Sequence, residues 1–402
     1  MTSFLQLILS LSIIIIVAKL GGYISHKLGQ PSVLGELIAG ILIGPSLFNF
    51  FQMPFFTDSH LSQMIAELAE IGVLLLMFLA GLEIHFSDLV HSGKVSSLSG
   101  TLGVILPLGL GMGVGIISGM ETSSAIFIGL ILAATSVSIS AQTLMELGVI
   151  QSRVGLALMG AAVFDDILVI LGLAIFTALS QSGNTTGLWD VFWIILNMVL
   201  YLLSASLIGW WVFPKISSFI HNRSISQGLI AFVFVTILLY GWFAEVTGHM
   251  AAITGAFVAG LWFSRTELKE KIRNGISIVA YGIFIPIFFI NIGLSANLRE
   301  LSVDMLIFLA ILIVIAVLGK VIGAGAGGLL AGFSWHESLQ LGVGMMSRGE
   351  VGLIVAAVGV NEKLIDSEIF TAVVGVVIIT TILTPILLRF LFPSPAKVIP
   401  VK

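Results

Sequence analysis

Two adjacent aspartates, Asp165 and Asp166, stand inside the apolar run LMGAAVFDDILVILGLAIF, between Arg153 and Asp190. A carboxylate in hydrocarbon is expensive and two neighbours repel, so something must offset both effects. A helix-end pair sitting in water at a loop is the plain alternative, but the apolar flanks are too long for it. Consecutive helix positions differ by about 100°, so one side chain can face an ion pathway while the other faces a partner helix. Desolvation favours the neutral form of a carboxyl group and a nearby cation favours the charged form. A group balanced between them can exchange a proton for a monovalent cation, because both compete for the same oxygens.

Four further groups of residues bear on that chemistry. Lys320, in VIAVLGKVIGAGAGG, has long apolar flanks that keep its head from an interface, which makes it the natural counter-charge, above all for Asp165. A buried lysine can also carry a proton itself. Thr135, Ser136 and Ser138, in LAATSVSISAQTLMELG, offer hydroxyl and freed carbonyl oxygens of the kind hard cations need, which fits sodium or potassium. For any one of them, a bond back to its own helix is an equal alternative. Arg348 and Glu350, in GVGMMSRGEVGLIVAAVG, are read as neutralising each other and the ends of a broken helix. Asn291, in FFINIGLS, either lines the site or packs in the core. Glu36 and Glu83 lie near helix ends and are expected to be interfacial or structural, and Glu245 and His249 solvated. The G-x-G-x-x-G spelled by Gly323, Gly325 and Gly328 is no nucleotide site: it follows an intramembrane lysine and has no acidic residue about 20 positions on. Such glycines let helices approach closely in membranes.

The elements that position these residues follow from composition. Of the 402 residues 58% are hydrophobic and 9% charged, against about 25% charged in soluble domains. Apolar stretches of membrane-spanning length recur from end to end, which describes a polytopic all-α membrane protein. The net charge of −4 comes with no basic stripe, so nucleic acid is not an expected partner. Without cysteine there are no disulfides or thiolate metal sites. The first segment, FLQLILSLSIIIIVAKLGGY, lacks a basic n-region and a cleavage site and is expected to be a retained helix.

Twelve polar breaks predict thirteen spans, the weakest break being EVTGH. If the breaks alternate sides, Lys27, Lys94, Arg153, Lys215, Arg223 and the basic cluster from Arg265 to Arg273 share one side with the C-terminal tail. Only Arg299 and Lys363 fall on the other, which predicts an outside N-terminus and a cytoplasmic C-terminus. The Thr135 and Arg348 segments are poor continuous helices in corresponding places of two halves, the sequence sign of a transporter site at the bilayer midplane. The predicted inverted repeat comprises spans four to six and eleven to thirteen. The chain ends about ten residues after the last span, with no nucleotide-binding or regulatory domain expected beyond it.

The stretches GELIAGILIGP, FLAGLE, TSVSIS…LMELG, FDDI, GHMAAITGAFVAGL, FFINIGL, the Lys320 helix and MSRGEVGLI occur in order over nearly the whole chain. Together they resemble the monovalent cation:proton antiporter-2 family, which includes bacterial sodium/proton antiporters and the membrane domains of glutathione-gated potassium efflux systems. The resemblance implies a sodium/proton antiporter-like fold of thirteen helices with two crossed broken helices, working as a homodimer in the plasma membrane by an elevator motion. It implies panel helices over residues 1–94, core helices over 95–181, a linker helix over 182–225, panel helices over 226–302 and core helices over 303–402. Asp166 maps to the ion and proton carrier, Asp165 to the carboxylate paired with the lysine, Lys320 to that lysine, and Thr135 to the polar residue of the first broken helix. Sodium or potassium would be held by Asp166 and Thr135, with no cofactor. Aspartate at both positions together with the lysine looks like the electrogenic branch. Gated potassium-efflux members often carry an amide at the first position and an attached nucleotide-binding domain, and this chain departs from both.

The expected function is exchange of sodium (or lithium or potassium) for protons, in pH and cation homeostasis. Potassium/proton exchange on the same scaffold is the alternative, and a channel or ion sensor a more distant one. An intramembrane aspartyl protease is disfavoured, because adjacent helix positions diverge and cannot converge on one water.

Overall fold

Within hydrocarbon every backbone N–H and C=O must find its partner inside the protein, and the helix satisfies both within one segment. The computed structural model accordingly contains helices and no strands among the described residues, which are 2–50, 53–54, 56–58, 60–84, 91–180, 187–221, 223, 226–294, 303–361 and 363–392. The helices are α1 (Ser3–Lys27), α2 (Ser32–Ile43), α3 (Leu61–Glu83), α4 (Gly93–Ile117), α5 (Thr122–Ala133), α6 (Val137–Glu146), α7 (Arg153–Ser180), α8 (Gly187–Trp211) and α9 (Phe213–His221). They continue with α10 (Gly228–Val246), α11 (Ala252–Phe263), α12 (Lys269–Val279), a π-helical turn (Ala280–Phe284), α13 (Ile285–Leu294), α14 (Val303–Leu330), α15 (Trp335–Gly344), α16 (Glu350–Asn361) and α17 (Ser367–Leu391).

Ten described helical stretches are long and apolar enough to cross a bilayer, counting α5–α6 as one and α12–α13 as one. The helices α2 and α11 are apolar but have only 12 residues each, about 18 Å of rise. The weak EVTGH break is a real one: α10 ends at Val246 and α11 begins at Ala252, with His249 in a left-handed conformation and, like Glu245, exposed. Large apolar side chains such as Ile16, Leu20, Ile117, Val314 and Leu330 point outward, a surface suited to lipid and far too apolar for water.

Packing separates the helices into two sets. The helix α14 lies along α4 and touches α15 and α17, while α4 packs on α5 and α7. In the other set α3 packs on α11 and α13, α2 on α1 and α13, and α10 on α11. Each of the stretches α4–α7 and α14–α17 has the same order: a long helix, two half-helices around a break, and a second long helix. The glycine-rich run of α14 is ordinary helix whose Gly323 meets Leu102 and Gly327 meets Ser99 of α4, while Gly325 and Gly328 meet Ser338 of α15. Small residues bring these axes together, as membrane helices without a hydrophobic drive between them require.

Candidate functional site

The two breaks cross each other. The first covers Ala134–Ser136, where Ala134 and Ser136 are extended, and the second covers Met345–Gly349. Their backbones are tied by Ser136 N donating to Ser347 O at 2.9 Å. Ser347 Oγ donates to Ser136 O at 2.5 Å, and Ser140 Oγ to Gly344 O at 2.5 Å. Gly349 packs directly against Ser136. A Cβ there would lie 2.5 Å from Ser136 Oγ and 2.6 Å from its Cβ, so only glycine fits beside Ser136.

Each half-helix ending at a break leaves carbonyls without intrahelical partners and a negative dipole end in hydrocarbon. Arg348 answers both. Its guanidinium, buried with 1% exposure, donates to Leu132 O of α5 at 2.7 Å, to Ala316 O of α14 at 2.9 Å, and to Met346 O. Its backbone is fixed to α17, with Thr380 Oγ1 accepting from Arg348 N at 3.2 Å and Thr381 Oγ1 donating to Arg348 O at 2.7 Å. The expected neutralisation of helix ends by Arg348 therefore takes the form of hydrogen bonds to backbone carbonyls. The side chain of Glu350, its expected partner, lies outside the described residues.

The aspartate pair of α7 faces this crossing. Asp165 is fully buried and its Oδ1 is ion-paired with Lys320 Nζ of α14, itself fully buried. Thr135 approaches the same carboxyl group, yet Thr135 Oγ1 and Asp165 Oδ2 are both buried oxygens with no hydrogen-bond partner. Buried oxygens of this kind are ligands that a cation could take. Asp166, one residue and about 100° further round the helix, points to a different neighbour and is 6% exposed. Its Oδ2 accepts from Thr254 Oγ1 of α11 at 3.1 Å. A cavity of about 10 Å³ lies beside it, walled by Met77, Val137, Met159 and Phe257 among others. That is about the room one water needs.

The chain thus brings Asp165, Lys320 and Thr135 together, and it sets Ser136 and Ser138 at the crossing with their hydroxyls 2.9 Å apart. Asn291 is elsewhere, lining a cavity of about 450 Å³ between α2, α3 and α13 with Asn49 and Gln63. Glu83 pairs with Arg273 at 3.3 Å, a structural contact of the expected kind. Thr254 is the residue that sequence reasoning passed over. Its segment, GHMAAITGAFVAGL, is recognisable, but nothing in a lone hydroxyl of an apolar helix says that it reaches a carboxylate 88 residues away. Among the described residues no group of three or more His, Cys, Asp or Glu side chains could hold a metal ion as a resident cofactor.

Known proteins share this architecture. An antiporter from Bacillus cereus described as a Na(+)/H(+)-K(+) antiporter, GerN, is 39% identical over 388 residues, covering 96% of each chain. A probable Na(+)/H(+) antiporter of the same organism, GerT, is 41% identical over 384 residues, 95% of this chain and 98% of the relative. The solved structure of the sodium proton antiporter MjNhaP1 from Methanocaldococcus jannaschii superimposes with a TM-score of 0.65 over 97% of this chain and 96% of the other, at 19% identity, a likeness of fold. The described relatives are transporters rather than enzymes. The family model for the transmembrane sodium/hydrogen exchanger matches residues 13–393. That match spans both broken helices, the aspartate pair and Lys320, and the chain belongs to the sodium/hydrogen exchanger family.

Proposed function

We propose that this protein exchanges a monovalent cation, sodium in the first place, for protons across the membrane, with Asp166 as the carrier. The observation that carries the reading is the division of labour in the aspartate pair. Asp165 is ion-paired with Lys320, whereas Asp166 accepts a hydroxyl hydrogen bond from Thr254 of the neighbouring set of helices and borders a cavity the size of one water. A carboxylate in that position can be neutralised by a proton or by a cation but not by both. The charged, empty site is costly to move through hydrocarbon, and that restriction couples the two fluxes.

On this reading α4–α7 and α14–α17 form the moving unit and the α2–α3–α11–α13 set the fixed panel of a homodimer. The Thr254–Asp166 hydrogen bond, which joins the two, breaks as the site moves. Thirteen crossings follow if the short α2 and α11 each span. The basic-residue asymmetry supports an outside N-terminus and a cytoplasmic C-terminus in the cell membrane. When the cation enters, Thr135 and Asp165 Oδ2 join its shell, Asp165 turns from Lys320, and Lys320 releases its proton. Two protons then move against one cation, which makes the exchange electrogenic and places the chain in the antiporter-2 branch. One relative, GerN, is named for both sodium and potassium, and potassium/proton exchange is the second reading.

Purified protein in proteoliposomes with an inward proton gradient, reported by a pH-sensitive dye, tests this. Sodium added outside collapses the gradient for wild type and not for Asp166→Asn. If potassium alone does so, the second reading holds. If neither cation acts, or Asp166→Asn is as active as wild type, the mechanism is wrong.

A further inference from the structure

A further cavity, of about 340 Å³, lies at the far end of α6 from the helix crossing. Among its lining residues are Lys19, Glu36, Gln142, Glu146 and Tyr281. The sequence gives no reason to group them, since they come from α1, α2, α6 and the π-helical turn. We propose that this cavity is a monovalent-cation binding site, separate from the aspartate pair, with Glu36, Gln142 and Glu146 as its oxygen donors.

Three independent features point there. The first is an unsatisfied acceptor. Gln142 is 95% buried (5% exposed), and its Nε2 donates to Glu146 Oε1 at 2.8 Å. The amide cannot be turned round without setting its oxygen against the carboxylate. Its Oε1 is therefore left buried with no hydrogen-bond partner, on a residue that lines the cavity, and a buried acceptor of that kind is costly unless a donor or cation satisfies it. The second is charge. Glu36, buried to 7% exposure, and Glu146 face only one ammonium group in the lining, that of Lys19. Lys19 Nζ is spent on Tyr281 O, at 2.8 Å, and stands 3.7 Å from Glu36 Oε1. With both ionised, as at pH 8, two carboxylates against one ammonium leave one negative charge, which a single monovalent cation balances. The third is the helix itself. Glu146 is the last residue of α6, so the negative end of that half-helix dipole is directed at the cavity and favours a cation there.

Glu146 also holds the start of α2, accepting from Ser32 N at 2.6 Å. A carboxylate has about four lone-pair positions, and that bond and the one from Gln142 use two of them. The ten residues of α6 separate this cavity from the Ser136 break by about 15 Å. A cation held here would be staged one half-helix from the aspartate pair. The binding site stands on its own geometry, and its use in transport rests on the proposed exchange.

The test is a cation titration of the purified full chain at pH 8. Sodium chloride or potassium chloride replaces choline chloride at constant ionic strength while the thermal unfolding midpoint is followed. The series comprises wild type, Asp166→Asn, and Asp166→Asn combined in turn with Gln142→Met, Glu36→Gln and Glu146→Gln. Asp166→Asn is expected to keep a saturable stabilisation by the metal cation. Adding Gln142→Met or Glu36→Gln raises its half-saturating concentration by about tenfold or more. These two variants carry the test if Glu146→Gln, which also loosens α2, fails to fold. The inference is overturned if Asp166→Asn removes all cation-dependent stabilisation, or if Gln142→Met and Glu36→Gln leave half-saturation unchanged. Wild type that binds in this assay but exchanges nothing in proteoliposomes refutes the proposed function and leaves the binding site standing.

Discussion

Replacing Lys320 by methionine keeps most of the side-chain volume and leaves Asp165 fully buried without its ion-pair partner. Breaking a buried pair by removing one partner costs about 3–5 kcal/mol. The folded variant has one escape, which is to bind a proton at Asp165. That costs about 1.4 kcal/mol for every pH unit above the ordinary carboxylate midpoint near 3.9, or about 4 kcal/mol at pH 7. The two figures agree, so Lys320→Met is expected to lose about 4 kcal/mol at pH 7. The sign of the pH dependence follows. The folded variant holds one proton more than its unfolded state, so its deficit against wild type shrinks as pH falls, by about 2–3 kcal/mol between pH 7 and pH 5. Replacing both partners, Asp165→Leu with Lys320→Met, removes the stranded charge and restores stability to within about 1 kcal/mol of wild type or better. Arg153 and Glu337 provide the control. They are 3.2 Å apart with side chains 60% and 26% exposed, and Arg153→Met should cost less than about 1 kcal/mol. Thermal unfolding of the detergent-solubilised variants at the two pH values reads all four quantities. The reasoning is refuted if Lys320→Met is no worse than Arg153→Met, or if its deficit does not change with pH.

The other predictions concern the crossing and the panel contact. Thr254→Val removes one hydrogen bond to a charged acceptor, about 1.5–3 kcal/mol of the preference for the present arrangement, while Thr254→Ser retains it. The chain has no cysteine, so a single Ala162→Cys in the wall of the small cavity beside Asp166 reports opening directly. Its alkylation should speed up about tenfold or more with Thr254→Val and not with Thr254→Ser, and equal rates would remove Thr254 from the mechanism. Gly349→Ala should abolish folding or exchange through its clash with Ser136. Adding Ser136→Gly, which removes both clashing atoms, should recover folded protein in size-exclusion profiles, whereas Ser136→Ala, which keeps the Cβ, should not. Arg348→Met strands Leu132 O at the end of α5 at about 1–3 kcal/mol, and a thermal midpoint unchanged from wild type would count against its capping role.

Much of this protein was legible in one dimension because hydrocarbon is an unforgiving solvent. Apolar runs had to be helices, and the polar and glycine-bearing stretches at Thr135–Ser136 and Ser347–Gly349 marked where they are interrupted. Asp165, Asp166 and Lys320 had to find partners, since no interface was within reach. The approach of Lys320 to Asp165 could be anticipated because few opposite charges were on offer. What only the tertiary structure decided were the contacts that composition does not mark. Arg348 spends its donors on Leu132, Ala316 and Met346 carbonyls, and backbone acceptors carry no sequence signature. Thr254 meets Asp166 across 88 residues, and its hydroxyl looks like many others until α11 is laid against α7. Asn291, equally polar, lies by a different cavity. Glu36, Gln142 and Glu146 gather round a cavity because α2, α6 and the π-helical turn meet there. Solvation cost decides along the chain which residues must be satisfied. Which group satisfies each of them is decided by the packing of helices far apart in sequence.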